Sequence, residues 1–254
     1  MPDLDADLRA AKQAGRHAFV PYVTGGLAGV DAHLLRGLEE AGADAVEVGI
    51  PFSDPVMDGP VIQEASRRAL VDGATPSAVL GTIKEAGLGI PVAVMTYANP
   101  VWHAGHASFL AACLDAGVSG VIVPDLPVDE ADGWIAASAA APVSPVFLAA
   151  PDTPRPRLRT IAGASRGFLY CVATYGVTGA RDRLGDSAPE LVGRLRRETD
   201  LPLLVGVGIT EPEQARQASG FADGVVGDVN PEEVTFKREA LLARQFWRGK
   251  QLEG

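Results

Sequence analysis

Ala41-Gly42, followed by Ala45-Val-Glu-Val-Gly-Ile50, is the unit on which the fold turns: a helix-like segment ends on glycine and a short apolar run begins. A glycine just past a helix supplies the left-handed residue that turns the chain back. An apolar run that is continuous rather than alternating suits a strand covered on both faces, as in a parallel sheet wrapped by helices. Similar runs occur at Ala18 to Thr24, Val92 to Tyr97, Gly120 to Pro124, Pro145 to Ala150, Gly167 to Val172, Leu203 to Gly208 and Gly224 to Gly227. Helix-like segments lie between them, among them Asp31 to Ala41, Thr75 to Ala86, Ala107 to Ala116, Pro189 to Glu198 and Pro212 to Ala218. Ala116-Gly117 and Ser219-Gly220 repeat the glycine cap expected at Gly42. Right-handed crossovers leave few topologies for eight such units, and the reading is an α/β fold: a single (β/α)8 TIM barrel over residues 1–254 with a short N-terminal helix. Residues 228–254 change character, with Asn-Pro-Glu-Glu opening a terminal helix and Phe246 and Trp247 set among basic residues in an atypical C-terminal segment.

Composition narrows the function classes. At 254 residues and 47% hydrophobic, the chain can bury one large core. Its net charge of −10 repels polyanions, and no basic stripe with interleaved aromatics is present, which argues against nucleic-acid binding. No stretch is long and apolar enough for a membrane span, and the start lacks a leader pattern, so a soluble protein is expected. Cys113 and Cys171 sit in apolar stretches without metal or redox spacing, as reduced thiols in the cytoplasm would.

In an eight-fold barrel the loops after the strands form the reactive rim. Glu47 lies at the end of one strand, and Asp58 lies eleven positions further on in a loop broken by Gly and Pro. A carboxylate among Val and Ile loses hydration and is retained when partnered or functional, so Glu47 read alone fits a salt-bridged barrel residue as well as an acid/base group. The loops Pro51 to Pro60 and Ala173 to Gly185 have the length of lids. The run from Gly206 to Thr210, with Val207 and Gly208, offers backbone amides to an anion such as a small phosphate substrate; tight packing is the alternative reading. Lys12, Lys84, Lys237 and Lys250 all lie outside the strand-like runs, which argues against Schiff-base chemistry. His17, His33, His103 and His106 form no convincing metal-ligand set, and the His103-Ala-Gly-His106 pair reads as polar loop surface, so no metal is expected. No nucleophile elbow or dinucleotide fingerprint stands out.

The stretch Glu47-Val-Gly-Ile-Pro-Phe-Ser-Asp-Pro-Val-Met-Asp58-Gly-Pro-Val-Ile-Gln63 resembles the tryptophan synthase alpha subunit family, the indole-3-glycerol-phosphate lyases. Phe19 to Gly25, Met95 to Pro100, Val123 to Pro127, Tyr170 to Arg181 and Gly206 to Thr210 carry the same resemblance. It implies a carbon–carbon lyase of tryptophan biosynthesis: retro-aldol cleavage of indole-3-glycerol phosphate to indole and glyceraldehyde 3-phosphate. Glu47 would be the general acid/base and Asp58 would hold the indole N–H. Tyr22, Met95 and Tyr170 would line the indole pocket, although Tyr22 and Met95 fit a plain core role equally well by residue type. Thr178 would meet Asp58 when the sixth-strand loop closes, and Gly179, Val207, Gly208 and Gly227 would lie near the phosphate. Asp54 and Pro55 would belong to the surface docking a tryptophan synthase beta subunit, giving an alpha2beta2 hetero-oligomer. Pyridoxal phosphate would be that partner's cofactor, with none in this chain.

The chain departs from the family pattern at Gly25-Gly26-Leu27-Ala28, a tolerable surface turn, and again after the last strand. There Asp223-Gly-Val-Val-Gly-Asp228-Val-Asn-Pro231 is one residue short and puts Asp228 where the family's phosphate-binding turn has serine. An acid facing a phosphate dianion would weaken binding by roughly 1–3 kcal/mol or more. Two other readings therefore stay open: a weakly active homologue that serves as an allosteric partner of a beta subunit, and another phosphate-binding barrel isomerase.

Overall fold

In the computed structural model, residues 2–172, 187–206 and 212–229 are described. Nine parallel strand segments form one sheet: β1 (Ala18–Thr24), β2 (Val46–Gly49), β3 (Val92–Met95), β4 (Gly120–Ile122), β5 (Ser144–Val146), β6 (Leu148–Ala149), β7 (Leu169–Val172), β8 (Leu203–Gly206) and β9 (Gly224–Asp228). The sheet runs β5-β4-β3-β2-β1-β9-β8-β7-β6. Its two edges, β5 and β6, are consecutive pieces of one run interrupted at Phe147, whose carbonyl accepts the Tyr170 N–H at 3.1 Å. The cylinder thus closes with eight staves, as the eight apolar runs predict, and the single (β/α)8 TIM barrel is observed.

Continuous apolarity has its reason in two buried faces. Val46, Val48, Val92, Val94, Leu203 and Val205 point outward into the layer beneath the helices. Val20, Tyr22, Ala45, Ala93, Ile122, Val146, Phe168, Tyr170, Leu204 and Val226 fill the interior. Adjacent residues face opposite sides of a strand, so both parities must be apolar.

The short N-terminal helix is α1 (Leu4–Gln13), capped by Asp3, which accepts the backbone N–H groups of Asp5 and Ala6. Leu4 and Leu8 are fully buried in the interior cluster. At Gly120, the first residue of β4, a methyl group would overlap the Leu4 side chain. Helix α1 therefore corks the end where strands begin, leaving the opposite mouth for chemistry. Asp223 locks this lower end: it accepts from both Arg196 guanidinium nitrogens and from the Leu203 N–H, with the Lys12 ammonium 3.6 Å away.

The outer layer comprises α2 (Ala32–Ala41), α3 (Pro60–Val71), α4 (Pro76–Ala86), α5 (Ala98–Ala104), α6 (His106–Asp115), α7 (Asp132–Ala139), α8 (Arg155–Ala164), α9 (Ser187–Leu195) and α10 (Pro212–Ala218). Gly42 and Gly117 take the left-handed conformation expected of them, at φ 93° and 84°. Gly220 does not: its N–H bonds the Gln217 carbonyl in a right-handed turn closing short α10. The His103–His106 pair also differs from the expected polar loop. Gly105, at φ 78°, divides α5 from α6; His103 lies in the last turn of α5 and His106 starts α6. The His106 ring meets Trp134 edge-on at 5.8 Å with its Nε2 buried, so this histidine is half-buried, while His103 is exposed as expected.

Candidate active site

Glu47 sits inside β2, in register with Tyr22 of β1 and Ala93 of β3. Its parity aims it into the barrel, and it is 1% exposed. Both carboxyl oxygens are buried without a hydrogen-bond partner among the described residues. Among the described residues the salt-bridged reading thus finds no cation beside Glu47 to offset its burial. Burial pushes the Glu47 carboxyl up to about 8, helped by the charges of Asp228 and Asp58. A group so placed holds its proton at neutral pH.

Asp58 lies between β2 and α3, on the loop that ends at Gly59, the N-cap of α3. Tyr97, the residue before α5, anchors this loop. Its hydroxyl accepts the Met57 N–H at 3.0 Å and hydrogen-bonds the Asp58 carboxylate, while its ring stacks on Phe52 with centroids 5.2 Å apart. Partial burial raises the Asp58 carboxyl to about 6, and the Tyr97 hydrogen bond restrains that rise. Near neutrality the mouth therefore holds a protonated Glu47 and an ionised Asp58 within electrostatic reach, two acids suited to opposite tasks.

Two tyrosines flank them. Tyr22 pairs with Glu47 on the next strand, and its hydroxyl occupies the space a methyl group would need at Gly49, two residues further. Tyr170 pairs with Leu204, and its hydroxyl fills the space above Gly206, again two residues further. Glycine on the neighbouring strand is what lets each ring lean across. Burial and then the charge of Asp58 raise the Tyr22 hydroxyl well above its ordinary value, with further contributions from Glu47 and Asp228. Met95, at the end of β3, packs against the same interior cluster. Tyr22, Met95 and Tyr170 thus share one interior cluster beside the acids.

Gly227 is a residue of β9 paired with Pro21, rather than part of a turn. Asp228, the last residue of β9, pairs with Tyr22 and shares the parity of the interior residue Val226. Burial, with the charge of Asp58, raises its carboxyl to about 6. Three carboxylates therefore share one mouth, yet among the described residues no group of His, Cys, Asp and Glu is spaced to hold a metal ion.

Of the residues singled out from sequence, Glu47, Asp58, Tyr22, Met95 and Tyr170 come together. Thr178, Gly179, Val207 and Gly208 lie outside the described residues. Asp54 and Pro55 stand on the loop before α3, beside the exposed apolar side chains Val56, Met57 and Val61. Sequence reasoning missed Tyr97, and it read Asp228 only against phosphate. The alternation of β9 was the available signal for the second; Tyr97 had only its place at a strand end.

Residues 8–230 match the tryptophan synthase alpha chain family. The tryptophan synthase alpha chain of Oceanobacillus iheyensis is 43% identical over 227 residues, covering 88% of this chain and 87% of the relative. That of Streptomyces avermitilis is also 43% identical over 227 residues, covering 88% and 82%. Among solved structures, Mycobacterium tuberculosis tryptophan synthase superposes with a TM-score of 0.87 at 36% identity, covering 98% of each chain. The tryptophan synthase a2b2 complex of Pyrococcus furiosus superposes with a TM-score of 0.79 at 34% identity, covering 92% of this chain and 96% of that one. With nearly nine-tenths of its length matched and the barrel and its acid-lined mouth in place, the chain belongs to the tryptophan synthase alpha chain family.

Proposed function

We propose that this chain cleaves indole-3-glycerol phosphate to indole and glyceraldehyde 3-phosphate, as the alpha subunit of a tryptophan synthase. The observation that carries the reading is Glu47: a buried carboxyl with both oxygens unpartnered among the described residues, aimed into the mouth that Asp58 overlooks. Protonated Glu47 gives its proton to indole C3, and the ring nitrogen takes on positive charge. Asp58, ionised, accepts the ring N–H and stabilises that charge. The Glu47 carboxylate then takes the proton of the side-chain hydroxyl. The C–C bond to the ring breaks, its electron pair neutralises the ring, and an aldehyde forms. Glu47 ends protonated as it began, so one group serves as acid and then base. Tyr22, Met95 and Tyr170 hold the bicyclic ring; Thr178 meets Asp58, and the phosphate falls to Gly179, Val207, Gly208 and Gly227.

Every proton in this scheme moves through side chains of the chain itself, so it needs no cofactor of its own. Pyridoxal phosphate belongs to the beta subunit that receives the indole. The surface of Asp54 and Pro55, with the exposed Val56, Met57 and Val61, is the docking face for that subunit in an alpha2beta2 assembly. Among the described residues no helix is long and apolar enough to cross a membrane. Cys113 and Cys171 are buried free thiols pushed up to about 12 by burial, a state that suits the cytoplasm.

Asp228 favours a second reading, an allosteric partner with little lyase activity of its own. Indole release from indole-3-glycerol phosphate, followed with and without a beta subunit, separates the two. Cleavage that a beta subunit stimulates supports the lyase; stimulation of the beta subunit without any cleavage supports the second reading.

A further inference from the structure

Asp228 stands apart from the scheme above. Tyr22 is in register with Glu47 on one side and Asp228 on the other, so the two acids occupy one level of the barrel on strands flanking β1. Two strand spacings put their Cα atoms roughly 10 Å apart. Both follow the inward parity: Ala45 precedes Glu47 and Val226 precedes Asp228 in the interior cluster. Tyr22 stands between them on β1, and the described interior cluster they face is otherwise largely apolar, a medium that screens charge poorly.

The groups facing Glu47 can be taken element by element. Tyr22 comes from β1, Asp228 from β9, Asp58 from the loop before α3, and Tyr170 lines the same interior from β7. From β3 come Ala93 and Met95, from α3 Ile62, and from α1 Leu4 and Leu8, none of which titrates. No lysine or arginine appears among the described interior residues. Of the two negative neighbours, Asp58 accepts the ring N–H once substrate binds and is countered by the cationic ring only after C3 is protonated. Among the described residues, Asp228 is the acid near Glu47 that the scheme gives no other task, and its charge weighs on Glu47 more than that of Asp58 does.

We propose that Asp228 is a positioning residue for the lyase reaction: its carboxylate, acting across Tyr22, adds to the burial that keeps Glu47 in the protonated form that starts the cycle. The residue that departs from the family pattern thus tunes the acid, whatever it does to the phosphate. This inference rests on the lyase reading for its functional meaning, and its physical core can be tested without turnover.

The test is a carboxyl ¹³C NMR titration of the free protein, with the Glu47 signal assigned by its loss in Glu47→Gln. Asp228→Asn removes the charge, Asp228→Ser removes it in a smaller side chain should the amide disturb folding, and Asp228→Glu restores it. The Glu47 midpoint should fall by about one pH unit in the Asn and Ser variants, roughly a tenfold loss of proton affinity, and return toward the wild-type value in the Glu variant. The alkaline limb of the pH–rate profile should move with it. A Glu47 midpoint unchanged in both neutral variants overturns the inference. Absence of indole release from wild type would instead overturn the lyase reading and leave the titration to decide the interaction on its own.

Discussion

Asp58 overlooks Glu47 from a loop anchored at the end of a different strand, and its charge adds to the burial that keeps Glu47 protonated. The competent state has Glu47 protonated and Asp58 ionised, which bounds activity from both sides. Acidification through about 6 neutralises Asp58; alkalinisation through about 8 ionises Glu47. A kcat/KM profile for indole release should therefore be bell-shaped with limbs near those values. A flat profile from pH 5 to 9 would contradict the assigned protonation states.

Tyr97 carries the loop, so its hydroxyl should matter although it lies outside the proposed chemistry. Tyr97→Phe leaves the Met57 N–H without its acceptor and removes the hydrogen bond that favours Asp58 ionisation. The acid limb should move to higher pH and kcat/KM at neutrality should fall about tenfold, consistent with a lost hydrogen bond to a charged group. An unmoved acid limb would show that Asp58 is held by something else.

The two tyrosine–glycine contacts make a steric prediction. Alanine at Gly49 would collide with the Tyr22 hydroxyl, and alanine at Gly206 with that of Tyr170. Both rings are nearly buried and have little room to swing away. Each substitution should cost about 1–3 kcal/mol by denaturant unfolding and raise KM, because it displaces the rings proposed to hold the indole. A Gly49→Ala variant with wild-type stability and KM would show that Tyr22 does not hold the indole ring as proposed.

Glu47 also links stability to pH. Its folded value of about 8 lies above its ordinary 4.5, so the folded state holds a proton that the unfolded state releases between those values. The stabilisation is complete below about 4.5 and is lost as pH rises toward 8. Glu47→Gln escapes this loss. Urea unfolding should find it increasingly more stable than wild type from pH 5 to 8, by up to about 4 kcal/mol. A stability difference independent of pH would mean that Glu47 ionises in the folded protein as it does in water.

Much of this arrangement is legible in the sequence because it rests on local physics. Runs apolar at both parities announce doubly covered strands, and Gly42 and Gly117 announce helix ends. Glu47 stands out because an acid among Val and Ile has a desolvation cost that needs a reason. What escapes is set by contacts between distant segments. Tyr97 reaches the loop before α3 from forty positions beyond Met57, and no local pattern shows that reach. His106 looks like surface until Trp134, on another helix, packs against it. Asp228 belongs with Glu47 only because β1 lies between β2 and β9, a neighbourhood that barrel closure creates.

The central claim is that Glu47 and Asp58 jointly cleave a carbon–carbon bond at the mouth of this barrel. The most direct measurement is steady-state indole release from indole-3-glycerol phosphate by wild type, Glu47→Gln and Asp58→Asn, each confirmed folded by circular dichroism. Loss of the positioned acid/base should lower kcat by about 10²–10⁴-fold in Glu47→Gln, with comparable damage in Asp58→Asn. Cleavage at the wild-type rate in either folded variant would contradict the claim.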